Sequence, residues 1–237
     1  MRKFLLAGAA LLSIAATPAS ALSLTFQSGS TDPNSDFVQT TNNPYYGLSN
    51  GLTVDFGAGG GNPGANPSGG VFTDIAGNPN GTSGVYTAEL TSGIAAQPNF
   101  GSSGGFASVV TGGQYDISFA AASVFSFILG SLDDGNSLTL FNGATQVAQF
   151  TGAQLNAFTV DPDGNQSVGT QNGRVIIDGA GTTQFTRAVF SSTNNSFEFD
   201  NIITSVPEPG TWGMMILGFG LAGGALRSRR RNGLVIA

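Results

Sequence analysis

Side-chain oxygens at every second residue are the part of this sequence closest to chemistry. Asp161-Pro162-Asp163-Gly164-Asn165-Gln166-Ser167 sets carboxylates and an amide around a glycine bend. Hard oxygen ligands at that spacing suit calcium, so Asp161, Asp163 and Asn165 are candidate ligands. The pattern is not an EF-hand, because its glycine comes fourth and its twelfth position is Asn172 instead of a glutamate. Asp-Pro-Asp-Gly is also ordinary turn chemistry, and both readings stay open. Asp133-Asp134-Gly135-Asn136 invites the same two readings. These carboxylates are also the candidates for the acid–base pair of a polysaccharide hydrolase. Neighbours in a turn point different ways, however, and nothing marks a partner at the about 5 to 9 Å that glycoside hydrolysis requires.

Absent residue types narrow the chemistry further. The chain has no cysteine and no histidine, and its one lysine, Lys3, lies at the N-terminus. No Ser-His-Asp or Cys-His nucleophile can therefore be assembled. Zinc normally requires imidazole or thiolate, and a Schiff base requires a lysine near the substrate. The expectation is a protein that is not an enzyme and holds no cofactor, calcium excepted.

Both ends look like targeting segments. Met1-Arg2-Lys3 is basic, Phe4 to Ala16 is apolar, and Ala19 and Ala21 hold the A-x-A positions before Leu22. That order predicts a signal peptide over residues 1–21, removed by signal peptidase. Between Leu22 and Ser205, two arginines stand against thirteen carboxylates, a net charge of −11. Such a surface repels phosphate backbones, so nucleic acid is not the expected partner. An exported domain without cysteine has no disulfide, and its core must hold it alone.

The elements that would position these residues are strands. Leu22–Gln27, Val71–Ile75, Val85–Leu90, Phe106–Thr111, Gln114–Ala120, Ser123–Leu129, Phe185–Phe190 and Ser196–Ile203 are short, β-branched or aromatic, and punctuated by turn residues. Tyr115, Ile117 and Phe119 alternate with polar or small residues, the period of a half-buried strand. Ile128-Leu129 breaks the alternation, as a bulge would. Asn142-Gly143 between two apolar runs predicts a hairpin through a type I′ turn with φ > 0 at both residues. Asn172-Gly173 leads into a further strand, Arg174–Asp178. Residues 57–84 form a Gly/Pro/Asn-rich loop with one short strand. About ten strands without a helical period predict one all-β domain over residues 22–205. An antiparallel sandwich of jelly-roll type is preferred over an immunoglobulin-like one. Tyr45, Tyr46, Phe72 and Phe100 could make a sugar-stacking platform, but aromatics at a sandwich rim more often close the core.

Residues 206–237 are of a different kind. Pro207-Glu208-Pro209 is followed by Trp212, Met214-Met215, Gly218-Phe219-Gly220 and then Arg227, Arg229, Arg230 and Arg231. This order resembles the sorting signal of PEP-CTERM proteins, in the subtype with Pro-Glu-Pro-x-x-Trp-Ala, although Gly213 stands where that alanine is usual. The resemblance implies export, transient inner-membrane anchoring, and processing near Pro207-Glu208-Pro209 by an exosortase. It also implies final residence at the outer surface, or outside, of a Gram-negative bacterium that makes exopolysaccharide. Residues 211–226 are sixteen residues, about 24 Å of helix, slightly short of a full span. The arginines after them would hold the C-terminus in the cytoplasm.

The domain shows a second resemblance. Phe127 to Asp133, with Asn136, Leu138 and the Asn142-Gly143 turn, is similar to a β-rich family of exosortase-dependent surface proteins. Phe197-Glu198-Phe199-Asp200-Asn201-Ile202 resembles their closing strand. An Asp-Asn-Ile ending also occurs in jelly-roll carbohydrate-binding modules, and that resemblance makes Asp200 a candidate calcium ligand. The functional expectation is a structural protein of the envelope, biofilm or exopolysaccharide matrix. A carbohydrate-binding module stabilised by calcium is the alternative.

Overall fold

The computed structural model describes residues 22–31, 53–56, 69–79, 81–87, 95–102, 104–130, 133–155, 171–205, 217–223 and 227. Twelve strands run through them: β1 (Ser23–Ser28), β2 (Thr53–Val54), β3 (Val71–Thr73), β4 (Gly84–Tyr86), β5 (Phe106–Val109), β6 (Gln114–Ala122), β7 (Val124–Leu129), β8 (Asn136–Asn142), β9 (Thr145–Thr151), β10 (Gly173–Asp178), β11 (Phe185–Ser192) and β12 (Phe197–Ser205). A single helical turn, α1 (Gly152–Leu155), follows β9.

Two sheets result. One has the order β1-β10-β7-β12-β5-β4, with β2 beside the end of β12, and the other has the order β3-β6-β11-β8-β9. All the pairings are antiparallel. Within them, β5-β12-β7-β10 faces β6-β11-β8-β9. Apart from the β8–β9 hairpin, the eight strands β5 to β12 thus alternate between the sheets, in the double Greek key of a jelly roll. β1, β2, β3 and β4 are additions around that frame.

The alternating residues meet between the sheets. Phe190 of β11 stacks on Phe199 of β12 with centroids 3.9 Å apart and planes 9° apart. Phe127 and Phe197 meet the same Phe190 ring edge-on at 5.1 and 5.4 Å. Each such ring, wholly buried, stabilises the fold by about 1.5–3 kcal/mol relative to exposure. With no cysteine in the chain, this aromatic layer and the aliphatic residues packed around it hold the sheets together.

Two expectations need correction. The β8–β9 hairpin forms, but Asn142 pairs with Thr145, so the central residues are Gly143 and Ala144. Positive φ falls on Gly143 alone (59°), as a type II′ turn requires, and not on Asn142. Ile128-Leu129 is not a bulge, since β7 pairs with β10 in unbroken register. Ile128 points outward yet is only 2% exposed, because that face of the sheet is covered as well. The irregularity lies instead in β12, between Asp200 and Ile203. The strand Thr53–Val54 and the turn Gly152–Leu155 had no visible signal in periodicity.

Candidate functional site

The outward face of the larger sheet carries an unusual concentration of buried polar groups. Phe197 and Phe199 of β12 point into the core, so Glu198 and Asp200 must point the other way. They are 2% and 1% exposed. Arg174 on β10 and Ser126 on β7 share this face and are equally buried. Segment 95–102 supplies part of the cover: the Ala96 N–H donates to Glu198 Oε1 at 3.3 Å, and the Ser102 hydroxyl donates to Asp200 Oδ2 at 2.6 Å.

The charged groups in this layer are hydrogen-bonded, while the Gln27 Oε1 beside Arg174 is buried without a partner. Asp200 Oδ1 accepts the backbone N–H of Asn201 at 2.7 Å and of Phe56 at 3.2 Å. The Ser196 hydroxyl donates to Glu198. Arg174 donates through Nη2 to Asn201 Oδ1 at 2.9 Å and through Nη1 to Ser126 Oγ at 3.1 Å. Asn201 adopts φ 48°, a left-handed conformation that asparagine tolerates, and this is where β12 slips its register against β7. The bulge therefore aims the Asn201 amide at Arg174 while Asp200 ties down two separate segments.

Burial pushes the Asp200 carboxyl up from 3.8 to about 6, against the opposing effect of its Ser102, Asn201 and Phe56 donors. Asp55 nearby adds to the rise. Two carboxylates two residues apart on one strand face lie about 6–7 Å apart, a spacing compatible with inverting glycoside hydrolysis. This pair is sealed from solvent, and both Asp200 oxygens and Glu198 Oε1 are bound by protein donors, so its present geometry is that of a clamp.

The other sequence candidates fall as follows. Asp161, Asp163 and Asn165 lie outside the described residues, as do Tyr45, Tyr46, Ala19, Ala21, Pro207, Glu208, Pro209, Trp212, Arg229, Arg230 and Arg231. Both oxygens of Asp200, the fourth calcium candidate, are turned toward protein N–H and O–H donors. Among the described residues, no group of three or more His, Cys, Asp or Glu is placed to hold a metal. Asp133–Asn136 is a turn: the Asn136 N–H donates to the Asp133 carbonyl at 3.1 Å, and the Thr193 N–H to that of Gly135 at 2.9 Å. Phe72 packs against Tyr115 at 4.5 Å, and Phe100 sits over Gly29, so both serve packing.

Sequence reasoning missed Arg174, Glu198, Ser102 and Asn201. One signal was available: Arg174 is one of only two cations between Leu22 and Ser205, and it is embedded in Gly173-Arg174-Val175-Ile176-Ile177. The other cation, Arg187, is on the outer face of the smaller sheet. It forms a bidentate pair with Asp116 (Nε–Oδ1 2.8 Å, Nη2–Oδ2 2.6 Å) and lies 4.7 Å from the centre of the Phe141 ring.

Beyond β12, Leu217–Gly223 are helical and exposed. No helix among the described residues is long and apolar enough to cross a membrane. In sequence, then, a jelly-roll domain is followed by an apolar and then basic tail. The tail itself is specific: residues 205–231 match the PEP-CTERM protein-sorting motif. The chain is thus an exosortase-targeted protein exported to the cell envelope or surface. No curated protein matches it.

Proposed function

We propose that this is a non-enzymatic structural protein of the cell surface or extracellular matrix, delivered by a tail that is then removed. In this reading signal peptidase cuts after Ala21. Residues 211–226 lodge transiently in the inner membrane with Arg229, Arg230 and Arg231 on the cytoplasmic side. Exosortase acts near Pro207-Glu208-Pro209, and the jelly roll passes to the outer surface or the exopolysaccharide. The observation that carries this reading is where the fold ends. β12, the strand that pairs with β5, β7 and β2, finishes at Ser205, the residue where the sorting motif begins. Among the described residues, removing everything after Ser205 takes no strand from either sheet. The sealed Glu198–Asp200 pair supports a structural role over a hydrolytic one. Deleting the exosortase tests the reading: the protein should accumulate in the inner membrane and vanish from the surface fraction. Unchanged surface levels would refute it.

A second reading, binding of exopolysaccharide, has one observation in its favour. The outer face of the smaller sheet presents Phe141 and the Asp116–Arg187 fork among Ser137, Thr139, Ser191 and Gln149, groups suited to sugar hydroxyls and ring faces. Loss of matrix binding in Phe141→Ala at unchanged stability would support it, and unchanged binding would dispose of it.

A further inference from the structure

The sandwich has four lateral edges, and they differ in kind. β4 and β3 are three residues each, too short to recruit another strand. β1 has six residues and β9 has seven, and they lie on the same side of the molecule. Among the described residues, β9 is the longest edge strand, and its only strand partner there is β8.

Edge strands are normally guarded by charge or proline. β9, Thr145-Gln-Val-Ala-Gln-Phe-Thr151, has neither, and no charged residue occurs from Gly135 to Val160. Yet the domain as a whole carries −11 between Leu22 and Ser205. A neutral, uncharged edge is where such an acidic body can approach its own copy with least repulsion.

Hydrogen bonding fixes the register. The Thr151 N–H donates at 3.0 Å to the Gln154 side chain and not to β8, so it points away from the sheet. Its partner across the ladder is Ser137, which makes Ser137–Thr151 a wide pair. Two residues on, Thr139–Gln149 is the same kind of pair, and Gln149 therefore turns its N–H and C=O outward as well. The one irregularity in the ladder, at Leu140/Phe141, falls nearer the turn and leaves Ala148–Thr151 regular. The Gln149 side chain is exposed. An amide is both donor and acceptor, so across a two-fold axis it complements itself.

We propose that β9 is a self-association edge. Two copies of this chain pair β9 against β9, antiparallel, with the two-fold axis at Gln149, and join two five-stranded sheets into one of ten strands. Its own chain is the fitting partner because both the neutral edge and the amide at its centre are self-complementary.

The absence of cysteine makes the test clean. Single variants Gln149→Cys (β9), Thr25→Cys (β1) and Ser118→Cys (β6, inside the sheet) are purified as full chains and oxidised with copper-phenanthroline. Directly opposed strand residues lie about 4.5–5.5 Å apart, within disulfide range. The expected result is a covalent dimer for Gln149→Cys, with only background for the other two. In parallel, Gln149→Pro removes an outward N–H that the β8 ladder does not use, and it should abolish the dimer seen by sedimentation in the parent chain. Circular dichroism reports whether Gln149→Pro folds; if it does not, the crosslinking result decides alone. No Gln149→Cys dimer above the Ser118→Cys level, a dimer through Thr25→Cys instead, or a dimer that survives in folded Gln149→Pro each overturns the proposal.

Discussion

Asp200→Asn should make the protein more stable at neutral pH. The native carboxyl has its pKa raised from 3.8 to about 6, chiefly by burial. A carboxyl raised by folding binds its proton more tightly in the folded chain. Stability is therefore greatest below about pH 4 for this group and falls as pH rises through 4 to 6. At about 1.4 kcal/mol per pKa unit, the full cost at pH 7 is of order 3 kcal/mol. Asparagine keeps an oxygen for the Asn201 and Phe56 N–H groups, and its amide can donate to the Ser102 hydroxyl, so it retains the clamp without the charge. Urea unfolding of residues 22–205 at pH 4.5 and 7.5 measures the effect. The other carboxylates titrate in both proteins, so the difference between parent and variant isolates Asp200. The variant should gain about 1–3 kcal/mol on the parent between the two pH values. Asp200→Ala should behave oppositely at pH 4.5, losing about 2–4 kcal/mol because buried donors lose their acceptor, and its deficit should shrink by about 1–3 kcal/mol at pH 7.5, because it too lacks the titrating carboxyl. A parent–variant difference that does not change with pH would refute the reasoning.

Arg174→Lys should not rescue Arg174→Ala. A single ammonium cannot span Ser126 and Asn201 as the fork does, and both variants should lower the unfolding free energy measured in urea, by about 2–4 kcal/mol for alanine. Gly173→Ala should unseat β1, because an added Cβ would stand 2.1 Å from the Gln27 carbonyl oxygen; proteolysis ahead of β1 should accelerate while the β8–β9 hairpin stays protected. For the calcium expectation, millimolar calcium should raise the Tm of the parent and not of Asp161→Ala/Asp163→Ala; equal behaviour of the two would remove it.

Strand positions were legible where one face is wet. Gln114–Ala122 shows the alternation openly, and its elements and those on either side of Asn142-Gly143 fall where the pattern predicts. Boundaries and turn register were not legible, since Asn-Gly suits more than one hairpin geometry and the ladder chooses. Glu198 and Asp200 look in sequence like the solvent side of β12. Only the tertiary arrangement shows that Ser102 and Ala96 lie over them, and only then does an ordinary aspartate become a buried one near pH 6. Arg174 was conspicuous by rarity, but its acceptors Ser126 and Asn201 are 48 and 27 residues away, beyond any local pattern. The sorting motif at residues 205–231 was legible because sorting signals are read as linear order.

The central claim is that the working protein ends where its last strand ends. Intact-mass spectrometry of the surface-fraction protein tests this most directly. The mature protein should begin at Leu22 and stop near Pro207-Glu208-Pro209, with a longer species in cells without the exosortase. A surface-fraction protein that still carries residues through Ala237 would contradict it.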